Sequence, residues 1–113
     1  MKKIEAFIKK HRLDEVARAL HHVKELSGMT VTNARGFGRG RGGSEAHPTP
    51  EMIHDFIDIV RIEVFCPDAL ADEVLTAIER AAHTGLRGDG KAYLLPVEQA
   101  VRISTGERGD AAV

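Results

Sequence analysis

The stretch Ile4-Glu5-Ala6-Phe7-Ile8 sets Ile4, Ala6 and Ile8 at every second position, the pattern of a strand with one buried face. It recurs 58 residues on, where Ile4, Glu5 and Phe7 fall on Ile62, Glu63 and Phe65, within the run Val60, Ile62, Val64. The repeat continues into the segment after each run. Asp14, Glu15 and Val16 fall on Asp72, Glu73 and Val74, and Ala19-Leu20 on Ala77-Ile78. Both segments have helical spacing: Leu13, Val16, Ala17, Leu20 and Val23 in the first, Leu70, Val74, Ala77, Ile78 and Ala81 in the second. Asp14 and Glu15 occupy a first turn, where the helix dipole favours acids. The second helix opens after Pro67-Asp68, an expected N-cap. Each half closes with a further strand, about Met29–Arg35 and Lys91–Leu95. The chain therefore reads as βαβ followed by βαβ. Interleaved in one antiparallel sheet with both helices on one face, these units give an α+β ferredoxin-like βαββαβ sandwich. A period this long in two copies is a duplication and not a solenoid. The bare sheet face needs a cover, and oligomerisation is the simplest one.

With 113 residues the chain is one domain, 1–113, with a modest core. A formal charge of −1 gives no basic field to recruit nucleic acid or anionic lipid. Four Phe, one Tyr and no Trp leave few platforms for stacking bases, which argues against a nucleic-acid partner. One cysteine, Cys66, excludes an internal disulfide and reads as a small buried apolar residue. No run approaches a membrane span, and Met1-Lys2-Lys3-Ile4-Glu5 lacks a signal-peptide core, so a cytoplasmic protein is expected.

Three segments fall outside the repeat. Gly36-Phe37-Gly38-Arg39-Gly40-Arg41-Gly42-Gly43 opens a long connection to about Asp58, too long for a neutral connector. Its glycines let backbone amides approach a ligand, and its arginines offer donors suited to phosphate oxygens. Thr84-Gly85-Leu86-Arg87-Gly88-Asp89-Gly90-Lys91 is a helix-to-strand turn with three glycines and two bases. The third is the tail around Arg102-Ile103-Ser104-Thr105-Gly106-Glu107. Glycine amides with Lys and Arg charges suit a polyphosphate.

These segments, with Met1-Lys2-Lys3-Ile4-Glu5-Ala6, Gly28-Met29-Thr30-Val31-Thr32 and Pro96-Val97-Glu98-Gln99-Ala100-Val101, are where the sequence resembles the PII signal-transduction family along nearly its whole length. The resemblance implies a homotrimer with ATP or ADP in clefts between subunits. It also implies a T-loop, about 37–57, that engages an enzyme or membrane transporter, and a C-terminal tail of about 102–113. It assigns Thr30, Gly36, Gly38, Arg39, Gly40 and Glu63 to the nucleotide cleft. Gly88, Asp89, Gly90 and Lys91 are assigned to the phosphates, with Arg102 reaching in from the adjoining subunit.

The departures from the family are informative. Gly40 replaces a glutamine that helps bind magnesium and 2-oxoglutarate, Ile59 a lysine that contacts 2-oxoglutarate, and Ser104 a second tail arginine. Met52 stands where some members have a modified tyrosine, and Pro48 replaces a T-loop arginine used on transporters. Charged contacts contribute about 1.5–3 kcal/mol each. Nucleotide binding is thus expected to persist while magnesium binding and 2-oxoglutarate sensing weaken or disappear.

Two other classes compete with a regulator. His47 and His54 in the connection suggest a metal-linked regulator, yet no histidine pair is spaced i, i+4 and no Cys-x-x-Cys exists. Solvent-exposed histidines are the plainer account. A small phosphate-ester hydrolase would need an anion cradle at Lys9-Lys10-His11-Arg12, which has no glycine. A non-enzymatic regulator is the expected class.

Overall fold

The computed structural model describes residues 1–38 and 56–113. Strand β1 (Lys2–Lys9) passes through a short 3-10 turn into helix α1 (Leu13–His21) and returns as β2 (Thr30–Gly36). Strand β3 (Ile57–Cys66), helix α2 (Asp68–Ala82) and β4 (Gly90–Pro96) repeat the plan. The strands lie in the order β2-β3-β1-β4, every pairing antiparallel. This is the ferredoxin-like α+β fold that the repeat predicts.

Alternation on the central strands builds the core. Ile4, Ala6 and Ile8 of β1 and Val60, Ile62, Val64 and Cys66 of β3 are buried on the helix-facing side. Val16, Leu20 and Val23 meet them from the first helical segment, and Ala71, Val74, Ile78 and Ala82 from α2. Burying one such Val, Leu or Ile side chain contributes about 1.5–3 kcal/mol. Burial pushes the Cys66 thiol above its ordinary value, as suits an inert core cysteine.

Two local features differ from the sequence expectation. Helix α1 stops at His21, so Val23 reaches the core from the following turn, where Glu25 adopts a left-handed φ of 71°. Asp68 is not the N-cap of α2: Pro67 takes that position, in extended conformation, and makes no side-chain cap. The Asp68 carboxylate instead accepts a hydrogen bond from the Met1 amine at 2.8 Å, and that positive charge holds its pKa below the usual range.

The duplication is visible in the register. Glu5 pairs directly with Glu63, its repeat mate, so the pseudo-twofold axis passes between them. Two like charges facing each other across a ladder are destabilising. Lys3 compensates, its Nζ lying 3.0 Å from Glu5 Oε2 and 3.0 Å from Glu63 Oε2. Arg61, the repeat mate of Lys3, lies 3.3 Å from Glu63. The hydrogen bonds to Glu5 and Glu63 raise the Lys3 pKa, and Lys3 in turn lowers that of Glu63.

Candidate functional site

The end of the sheet where β2 leaves for the long connection is also where the α2–β4 turn enters β4. Register brings them together: Gly36 pairs with Ile57, Ala34 and Lys9 both pair with Ile59, and Ile8 pairs with Gly90. A cavity of about 590 Å3 opens there, lined by Gly36 and Gly38 on one side and by Gly88, Asp89, Gly90 and Lys91 on the other. Six expected site residues thus converge within one chain.

The turn is built around Asp89. Its carboxylate accepts from the Thr84 amide at 2.8 Å, the Gly85 amide at 3.3 Å and the Thr84 hydroxyl, and Lys9 Nζ lies 3.1 Å away. His83 Nδ1 stands 3.6 Å from its other oxygen. The Thr84 hydrogen bonds, with further donation from Lys9 and Gly85, hold the Asp89 pKa far below the ordinary carboxylate range. Asp89 is therefore committed to organising the turn, while Lys91 beside it is exposed. Gly90 cannot be anything else. At its φ of 100° an added Cβ would lie 1.7 Å from the Phe7 carbonyl oxygen, because β4 is pressed onto β1 at that point.

Other expected residues lie elsewhere. Thr30 and Glu63 pair directly across β2 and β3, but six positions along β2 from Gly36, roughly 20 Å at ordinary strand rise. Arg102 sits in the tail, its amide donating to the Glu107 carbonyl at 2.8 Å and its Nε 3.7 Å from the Glu107 carboxylate. Neither group lines the cavity. Arg39, Gly40, His47, Met52 and His54 lie outside the described residues.

Sequence reasoning missed Lys9, Thr84 and Arg35. Thr84-Gly85 carried a signal, since Thr84 Oγ1 accepts from the Leu86 amide at 3.1 Å as in an ordinary hydroxyl turn. Lys9 and Arg35 had none beyond their places at strand ends. Arg35 lies over the Phe56 ring at 5.9 Å, and Phe56 packs against Phe37 with centroids 5.4 Å apart, which pins the two roots of the long connection together.

The basic run after β1 is also accounted for. Lys9 serves Asp89, and Arg12 donates through Nε and Nη2 to the Ala81 carbonyl at 3.0 and 2.7 Å, capping the end of α2. Among the described residues no group of three potential metal ligands gathers, and no helix is long and apolar enough to cross a membrane.

Fold and cavity together define a small ferredoxin-like domain with a glycine-rich cavity at the root of a long inter-strand connection. The sequence profile of the family described as Nitrogen regulatory protein P-II matches residues 1–107. The chain is 51% identical over 113 residues to the nitrogen regulatory protein P-II of Azospirillum brasilense, covering 100% of each. It is 50% identical to that of Rhodospirillum rubrum and 45% identical to nitrogen regulatory protein P-II 1 of Escherichia coli K12, again over 113 residues and 100% of each chain. The chain belongs to the P-II family of nitrogen-regulatory signal-transduction proteins, whose members are regulators and not enzymes.

Proposed function

We propose that the chain is a homotrimeric regulator that binds ATP or ADP in clefts between neighbouring subunits and acts on a partner protein through the 37–57 connection. One observation carries this reading: the nucleotide-site residues fall into separate groups on a single chain. Gly36, Gly38 and Gly88–Lys91 share a cavity, whereas Thr30 and Glu63 stand roughly 20 Å along the sheet and Arg102 lies in the tail. A neighbouring copy would supply the missing groups to each cavity. The open sheet face supports such assembly, since Phe65, Tyr93 and Leu95 on that face are each at least 40% exposed.

In this reading the nucleotide biases the connection because its affinity differs between two arrangements of that arm. The amides of Gly88–Lys91 and the Lys91 charge hold phosphate oxygens, and Asp89 fixes the amides without facing the ligand. Replacement of the cation expected at position 59 by Ile59, which lines the cavity, supports weak or absent 2-oxoglutarate sensing. The hydrolase alternative is disfavoured because Lys9 and Arg12 are already engaged. Calorimetric titration with ATP, ADP and AMP, with and without magnesium and 2-oxoglutarate, combined with sedimentation equilibrium, tests all parts. The expected result is a trimer that binds ATP or ADP with little response to 2-oxoglutarate. A monomer, or a chain that binds none of the three nucleotides, would end this reading.

A further inference from the structure

The cavity at the sheet end joins two kinds of surface. Gly88, Gly90 and Lys91 line it, and so do Phe7, Ile57 and Ile59. Ile57 is 50% exposed although it lines a concave site, so it gains when an apolar group covers it. The cavity's acid, Asp89, is committed to the turn, and Arg35, which also lines the cavity, lies over the Phe56 ring. A volume of about 590 Å3 lies within the ordinary range for a small-molecule site.

A polyphosphate alone would leave the two isoleucines wet, and a second ligand charge set against Ile57 and Ile59 would lie on apolar surface. Both arrangements forfeit burial or strand a charge on apolar surface. The geometry points to a ligand whose phosphate bears an apolar substituent. Resting on the nucleotide reading above, we infer that the site accepts an adenosine diphosphate ester with an apolar group on its terminal phosphate. The substituent lies along Phe7, Ile57 and Ile59 while the glycine amides and Lys91 hold the phosphate it caps.

The test compares ADP, its terminal-phosphate hexyl ester and an ester of equal length built from ethylene glycol units, titrated calorimetrically into the full chain. Hexyl phosphate and inorganic phosphate form a second pair. The hexyl ester is expected to bind about tenfold or more tightly than the glycol ester, the gain from burying roughly two methylene groups. Ile59→Lys and, separately, Ile57→Ser should bring that ratio towards one, and either variant suffices should the other fail to fold. If ADP binds but the two esters bind alike, this inference is overturned while the nucleotide reading stands. If ADP fails to bind and hexyl phosphate still outbinds inorganic phosphate, the apolar-capped phosphate stands and the adenosine assignment falls. If none of the compounds binds, both readings fall.

Discussion

The turn after α1 and the turn after α2 occupy equivalent places in the two halves of the fold, yet only the second lines the cavity at the sheet end. The first, His22 to Met29, carries one residue in left-handed conformation, Glu25, and an exposed Gly28 with nothing within 4 Å of an added Cβ. The second places Gly85, Gly88 and Gly90 at positive φ, and its Thr84 and Gly85 amides both donate to one acceptor, Asp89. The second turn therefore rests on more than glycine. It is also held by a carboxylate that spends its charge inside the turn.

Gly90 is the position where the two turns should differ most. Gly90→Ala combines a left-handed backbone with overlap on the Phe7 carbonyl, and should destabilise by about 3 kcal/mol or more, read from urea unfolding. Gly28→Ala, in the turn after α1, should stay within about 0.5 kcal/mol. Equal losses at the two positions would erase the distinction.

Asp89→Asn should come next, lowering stability and nucleotide affinity together. The folded pKa of Asp89 lies below the value of 3.8 for an unperturbed carboxyl, so its contribution is fully present above about pH 4. It is lost as pH falls through the folded value. The gap in urea midpoint between wild type and Asp89→Asn should therefore hold at neutral pH and close in strong acid. A gap that does not change with pH would show that the charge is not what holds the turn.

Glu25→Gly should act in the opposite direction, relieving left-handed strain and raising stability by about 1 kcal/mol, measurable as a higher thermal midpoint. Lys3→Gln, which leaves Glu5 and Glu63 facing each other, should cost least of all. Its loss should shrink in high salt and be recovered by adding Glu5→Gln, because screening weakens exposed repulsion.

The fold was legible because its determinants are local and periodic. Ile4, Ala6 and Ile8 alternate, Val16 and Leu20 keep helical spacing, and both patterns recur in the second half. That Gly88, Gly90 and Lys91 would meet Gly36 and Gly38 at one cavity was legible from the glycine-rich segments at the ends of the two halves. The direction of the Asp89 carboxylate was not, since it depends on Lys9 arriving from a strand 80 residues away in the chain. The apolar wall was equally hidden. Ile57, Ile59 and Phe7 become one surface only through the register of β3 against β1, which no local pattern fixes.

The pairing of Glu5 with Glu63 bears on why the two halves share one polypeptide. A half-length chain that assembled with an identical copy of itself would bring the same carboxylate to the axis twice, and two identical cations with it. Joining the halves lets each change alone. The lysine of the first half now bridges both acids while its arginine counterpart reaches one, so the fused molecule has already spent its internal symmetry where the halves meet. The same freedom let the two helix-to-strand turns diverge, one carrying three left-handed glycines and the other a single left-handed glutamate.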